Sequence, residues 1–195
     1  MGQEGLVVFV KNPELGKVKT RIAATTGDQE ALRIYLELLS HTQRIVSKLH
    51  CNRYVYYTDH IPSQDLWPSD QYQKRIQPTG DLGQKMSAAI SDVLLQCDKA
   101  LLIGSDCASL TTEHLQQAME LLQQSDIVLG PTFDGGYYLI GMKEHHPQLF
   151  SDISWSTDEV YAQTVAKAQS MGLSVASLAT LSDIDYEKDW LQYGW

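Results

Sequence analysis

The chain has 195 residues, 24 of them acidic and 15 basic, a net charge of −9, with 43% hydrophobic and 20% charged residues. That composition supports one globular domain spanning 1–195 with a sizeable core. It argues against a nucleic-acid surface or an anionic membrane face, since both draw on Lys and Arg.

Cys51, Cys97 and Cys107 are odd in number and lie far apart with no C-x-x-C pair, so neither a zinc knuckle nor a disulfide framework is expected. Reduced thiols fit the cytoplasm. The N-terminal apolar run, Gly5 to Val10, is too short for a signal peptide or a membrane span. Leu6 stands where a myristoylation signal needs Ser or Thr.

Leu6–Val10 is an unbroken, valine-rich apolar run, as a buried parallel strand should be. A basic loop follows. Between Lys11 and Arg21, "KNPELGKVKTR" holds Lys11, Lys17, Lys19 and Arg21, where an even spread of the chain's 15 cations would place fewer than one. Leu32, Tyr35, Leu36, Leu39, Ile45, Val46 and Leu49 recur at helical spacing, which predicts a helix over Asp28–His50. Arg53–Thr58 reads as an aromatic-rich strand and Lys74–Gln77 as a weak one.

Helical spacing returns from Leu82 to Leu94, and Lys99–Gly104 is the clearest strand. A helix over Thr112–Gln124, strands over Asp126–Gly130 and Gly136–Met142, and a helix capped by Ser156 with Glu159 three residues on come next. Gly172 reads as that helix's C′ residue, "LSVASLA" as a last strand, and a short helix closes the chain. Strands alternating with helices predict a three-layer α/β/α fold around a mostly parallel sheet.

Ligands of such sheets bind beyond the carboxyl ends of the strands. The residues there are the basic loop, Ser105-Asp106-Cys107, Thr132 to Gly136, and Asp183 to Asp185. The basic loop is neither a Walker P-loop nor a dinucleotide fingerprint, because Gly16 is its only glycine. Still, Gly16 allows close backbone approach, and the lysines and Arg21 suit a phosphate.

Asp106, directly after a buried strand, suits Mg²⁺ or Mn²⁺, though a turn role fits it equally. Asp134-Gly135 is a hairpin signal as much as a ligand loop. Trp155, Ser156 and Thr157 read first as a helix start and second as an acceptor pocket. Asp183 or Asp185 caps the last helix or supplies a second ligand to the ion at Asp106.

In order, "KNPELGKVKTR", "GDLGQKM" (Gly80–Met86), "LLIGSDCASL", "LGPTFDGGYYLIGM", "ISWSTDEV" and "DIDYEKDW" make this chain resemble the small glycosyltransferase family of the GT-A, nucleotide-diphospho-sugar transferase superfamily. Wider relatives activate sugars, phospholactate or molybdopterin by nucleotidyl transfer. The resemblance implies a Rossmann-like GT-A fold that binds a nucleoside triphosphate or nucleotide sugar and a small-molecule acceptor. It makes Lys11, Gly16, Lys17, Lys19 and Arg21 a phosphate loop, and sets Gly80, Leu82 and Gly83 against the base or ribose.

On the same resemblance Asp106 and Asp185 hold the metal, Mg²⁺ or Mn²⁺. Asp134, Gly135 and Gly136, with Trp155, Ser156 and Thr157, face donor sugar or acceptor. Asp106, Asp134 and Lys19 are the catalytic candidates. Ala108 departs from the family's usual proline and puts the shape of the Asp106 turn in question. Glycosyl transfer, nucleotidyl transfer and a non-catalytic nucleotide-binding module remain open at this point, as does assembly into a homo-oligomer.

Overall fold

A computed structural model describes residues 3–195. The absence of an acylation signal at Met1-Gly2 lies outside the described residues. The strands are β1 (Glu4–Val10), β2 (Asn52–Tyr57), β3 (Gln73–Ile76), β4 (Lys99–Ile103), β5 (Ile127–Pro131), β6 (Tyr137–Met142) and β7 (Val175–Ser177). They form one sheet in the order β3-β2-β1-β4-β6-β5-β7. All run parallel except β6, which is antiparallel to both β4 and β5.

The helices are α1 (Thr20–Thr26), α2 (Asp28–Val46), α3 (Leu82–Leu94), α4 (Thr112–Leu121), α5 (Val160–Ser170) and α6 (Glu187–Tyr193), with a 3₁₀ turn over Pro147–Phe150. This is the three-layer α/β/α architecture that the alternating pattern predicts.

Alternate residues of a strand point to opposite faces, and both faces are covered. Leu6, Val8 and Val10 of β1 pack with Tyr35 and Leu39 of α2 and Leu115 and Met119 of α4. Val7 packs on the other side with Met86, Ile90 and Val93 of α3. That double burial is why β1 and β4 read as continuous apolar runs rather than alternating ones. A third, smaller cluster joins Ile22 of α1, Ala31, Ile34 and Leu38 of α2, Ala108 and Ile184.

Element bounds fall within a few residues of expectation, with two exceptions. The last two residues of the basic loop begin a helix that the sequence does not announce: α1 starts at Thr20, behind Lys19 in the left-handed region at φ 47°. The capping box at Ser156 does not form. Helix α5 begins at Val160, Ser156 sits at φ 65°, and Glu159 makes no side-chain cap. The Gly135 carbonyl instead accepts the Tyr161 amide at 2.8 Å, so a neighbouring loop satisfies a first-turn donor that a capping side chain would take. Gly172 does end α5 with positive φ.

No described helix is long and apolar enough to cross a membrane.

Candidate functional site

β1 lies between β2 and β4, and the chain reverses direction across the sheet between β1 and β4. Open α/β sheets bind ligands at such a switch point, beyond the strand ends. A cavity of about 310 Å³ sits there, lined by Lys11, Lys19, Arg21, Tyr35, Asp106 and Asp185 among others. The basic loop after β1 and the acid after β4 therefore meet.

Lys19 is the centre of this arrangement. Its side chain is only 5% exposed, and its ammonium lies 2.8 Å from Asp106 Oδ1 and 3.7 Å from Asp185 Oδ1. It also donates to the Ile184 carbonyl at 2.7 Å. Arg21 donates to Asp185 Oδ2 at 2.8 Å. The Asp106 carbonyl accepts the Ile184 amide at 2.8 Å, tying the two acidic loops together. A non-glycine residue at positive φ costs conformational energy and persists where surrounding contacts hold it. Here those contacts aim the Lys19 amine between two carboxylates.

Tyr35 forms the floor. Its hydroxyl accepts the Lys11 amide at 2.8 Å and donates to the Lys11 carbonyl at 3.0 Å. Burial, then the Asp106 charge, raises its pKa, so it stays a neutral donor. Its apolar neighbours on the helix hide this role in the sequence, because a buried tyrosine at helical spacing reads as core.

A second cavity of about 630 Å³ adjoins the first, sharing Arg21 and Asp185 with it. Leu82, Asp134, Gly136, Trp155, Ser156 and Thr157 line it, as do Phe133, Tyr186 and Asp183. Asp134 Oδ1 accepts from Thr132 Oγ1 at 2.5 Å and from the Gly136 amide at 3.1 Å, which sets the turn of the β5–β6 hairpin. The hairpin turn is formed, and Asp134 and Gly136 of that turn also line the cleft.

Gly135, at φ 87°, has no room for a side chain, since a Cβ would fall 2.0 Å from the Asp158 carbonyl oxygen. Gly83 lies inside α3 with the Trp155 ring and the Phe150 carbonyl against it, where a Cβ would meet both at 2.6 Å. It seats the Trp155 wall rather than lining the cleft. Trp155 in turn meets the Tyr137 ring edge-on at 6.5 Å.

The other expected positions lie apart. Lys17 is 68% exposed, ion-paired to Glu14 at 2.5 Å, and lines neither cavity. Gly16 and Gly80 have positive φ and belong to turns outside both linings. The last helix is capped by neither Asp183 nor Asp185. The Asp189 carboxylate accepts the Asp185 and Tyr186 amides, at 3.1 and 2.8 Å, and leaves both earlier acids free for the cleft.

Asp183, weighed beside Asp185 as a helix cap or an ion ligand, lines the larger cleft. It is pushed up to about 7, first by burial and then by the Asp106 charge; Lys19 pulls the other way, and Asp134 and Asp185 add to the rise. Its signal in the sequence is its place beyond the last strand, in an acid-rich run.

The donors around Lys19 are all oxygens, and two carboxylates already converge on one cation. That set fits a hard divalent ion, which takes one or two carboxylates and completes its shell with water or phosphate. Among the described residues, no group of three or more His, Cys, Asp or Glu side chains forms a ready-made metal cage.

The family model described as "Uncharacterized protein conserved in bacteria (DUF2064)" matches residues 41–157. A "putative nucleotide-diphospho-sugar transferase" from Desulfovibrio desulfuricans G20 is 32% identical, with a TM-score of 0.87 over 98% of this chain and 87% of that one. The chain belongs to this DUF2064 transferase family.

Beyond the family the likeness is one of fold. The inositol-1-phosphate CTP transferase of T. maritima superposes with a TM-score of 0.61 at 15% identity, over 96% of this chain and 91% of that one. The Rv0371c protein of Mycobacterium tuberculosis H37Rv, in complex with manganese, superposes with a TM-score of 0.59 at 11% identity, over 99% and 98%. No curated protein matches the sequence. In this DUF2064 chain, Ala108 fills the place expected for proline and is buried against Ile22 and Ile184, so the Asp106 turn is held by packing.

Proposed function

We propose that the protein transfers a glycosyl group from a nucleotide-diphospho-sugar to a small acceptor, with Mg²⁺ or Mn²⁺ as cofactor. The observation that carries this reading is the meeting of Lys19 and Arg21 with Asp106 and Asp185 across one cavity at the β1/β4 switch point. Such a site joins fixed cations to a hard-ion ligand pair, as a polyphosphate needs.

The donor diphosphate would lie in the smaller cavity, with Lys11, Lys19 and Arg21 on its oxygens and Tyr35 holding the Lys11 backbone from the floor. The sugar would extend past Arg21 and Asp185 into the larger cleft. As the anomeric carbon–oxygen bond breaks, negative charge grows on the departing nucleoside diphosphate, and these cations stabilise it more than they stabilise the intact donor. Asp106 and Asp185 would hold a divalent ion, which would supply Lewis-acid charge to the diphosphate. The acceptor hydroxyl attacks from the larger cleft. Asp134 lies there with one carboxylate oxygen committed to the turn and the other available to orient that hydroxyl or take its proton.

Nucleotidyl transfer is the second reading, favoured by the fold shared with the T. maritima CTP transferase. The same charges would then stabilise the α-phosphate under attack and the pyrophosphate that leaves.

Asp106→Asn tests both. In calorimetry the wild type should bind a nucleotide sugar or nucleoside triphosphate at least tenfold more tightly with Mn²⁺ than without. The variant should lose that gain. Equal metal dependence in the two proteins removes Asp106 from the metal site. Release of nucleoside diphosphate, as against pyrophosphate, then tells glycosyl from nucleotidyl transfer.

A further inference from the structure

The larger cleft differs in charge from the cavity it opens into. Three of its carboxylates, Asp134, Asp158 and Asp183, lie beyond the Lys19–Asp106 pair. Its described cationic side chains are Arg21 and Lys188. Arg21 donates to Asp185 and lies 5.5 Å over the Tyr186 ring, and the Lys188 amine lies 5.6 Å over the same ring.

A phosphate monoester entering this cleft would therefore meet five carboxylates, those of Asp134, Asp158, Asp183, Asp185 and Asp189, against two cations, one of them paired to Asp185. Asp183 is half-buried in the cleft lining, and its carboxylate accepts no hydrogen bond from another described side chain or amide.

Aromatic rings line the same space. Phe133, next to Asp134, is 70% exposed and Tyr186 is 48% exposed, although both are large apolar surfaces that folding ordinarily covers. Trp155 forms the facing wall, seated by Gly83. Carboxylates that accept from hydroxyls, set between rings that stack on C–H faces, recognise a polyhydroxyl compound without a charge of its own.

Resting on the transferase reading above, we propose that the acceptor is a neutral sugar or polyol, and that the cleft rejects its phosphorylated counterpart. All the phosphate chemistry is then confined to the donor cavity. This separates the protein's substrate class from that of an enzyme whose acceptor is itself a phosphate ester. It also favours glycosyl over nucleotidyl transfer, since the latter joins a nucleotide to an acceptor phosphate.

The test is ligand-observed NMR on the full chain, saturated with Mg²⁺ and a nucleoside diphosphate so that the donor cavity is filled. The probes are matched pairs: glucose and glucose 6-phosphate, glycerol and glycerol 3-phosphate, inositol and inositol 1-phosphate. At least one neutral member should bind, and its phosphorylated partner at least tenfold more weakly. Asp158→Lys reverses one wall charge at an exposed side chain outside the proposed catalytic set. It should narrow that ratio to about threefold or less, with an unchanged thermal midpoint.

A phosphorylated member that binds as well as its partner, a panel in which no neutral member binds, or a ratio unmoved by Asp158→Lys overturns the inference. Nucleotide binding is measured first, by thermal shift without any acceptor. If no nucleotide raises the midpoint, the transferase reading and this inference fall together; if nucleotide binds and the phosphorylated partners win, only the inference falls.

Discussion

Lys19→Met removes the ammonium from between Asp106 and Asp185 while keeping most of the side chain's length. Two charge-assisted hydrogen bonds go with it, the 2.8 Å bond to Asp106 and the 2.7 Å bond to the Ile184 carbonyl. Such bonds are worth about 1.5–3 kcal/mol each. The carboxylates of Asp106 and Asp185 are 40% and 38% exposed, so water reaches them once the amine is gone, and the low end of that range applies. The expected loss is about 2–3 kcal/mol. For a chain of this length that lowers the thermal midpoint by roughly 4–12 °C.

The second half of the experiment is metal alone. In the wild type a divalent ion must compete with the Lys19 amine for Asp106; in the variant it does not. At ten times its Kd, an ion that binds only the folded state adds about 1.4 kcal/mol. Mn²⁺ without nucleotide should therefore raise the variant's midpoint by several degrees more than the wild type's, in scanning calorimetry at constant ionic strength. An unchanged midpoint in Lys19→Met, or equal Mn²⁺ responses in the two proteins, refutes the placement of cation and carboxylates around one point.

Two further outcomes are expected. Gly135→Ala forces a Cβ toward the Asp158 carbonyl from a backbone at φ 87°. It should cost about 2–4 kcal/mol and lower the rate of transfer, because the cleft wall and the start of α5 both move; denaturant titration and turnover measured together check this. His41 gives a pH dependence. Its Nε2–H donates to the Leu110 carbonyl at 2.8 Å and its Nδ1 accepts from Arg44 at 3.1 Å, so the folded state holds the neutral ring. Burial lowers its pKa, as it does that of His145. A histidine held below its unfolded value stabilises above about pH 6.5 and loses that contribution as the pH falls through the folded value. Asp183 acts with the opposite sign between about pH 7 and 4, so the histidine part is read from the difference between wild type and His41→Gln. The variant should lose less stability than wild type from pH 8 to pH 5.5; parallel curves would contradict the assignment.

The sheet and its covering helices were legible because burial on both faces writes itself into runs such as Leu6–Val10 and Leu101–Ile103. The hairpin at Asp134-Gly135 was legible from turn chemistry. The entry to α5 was not, because Tyr161 is satisfied by a carbonyl from a loop 26 positions earlier, at Gly135. A local capping pattern carries no information about such a partner. Helix α1 escaped for a related reason: Thr20–Thr26 has one fully buried side chain, Ile22, and a first residue held behind a left-handed lysine, so neither period nor cap announces it. Density of charge marked the basic loop as a whole. It did not tell Lys19, which turns inward, from Lys17, which pairs with Glu14 on the surface.

What sorts those lysines is an apolar cluster. Ile22, Ala108 and Ile184 are each within three residues of a site charge: Ile22 of Lys19 and Arg21, Ala108 of Asp106, Ile184 of Asp183 and Asp185. All three are buried together against Ala31, Ile34 and Leu38 of α2. Like charges gathered by electrostatics alone would drift apart, since Asp106, Asp183 and Asp185 repel one another. The burial of three small apolar side chains gives the opposing force, at roughly 1.5–3 kcal/mol for each isoleucine. Lys17 has no such neighbour on its side of the loop; Val18 turns into the core instead, and the lysine before it is left in water. The polarity of the site is thus placed by residues that carry no chemistry, which is why a reading confined to charged motifs finds the right loops and cannot rank the side chains within them.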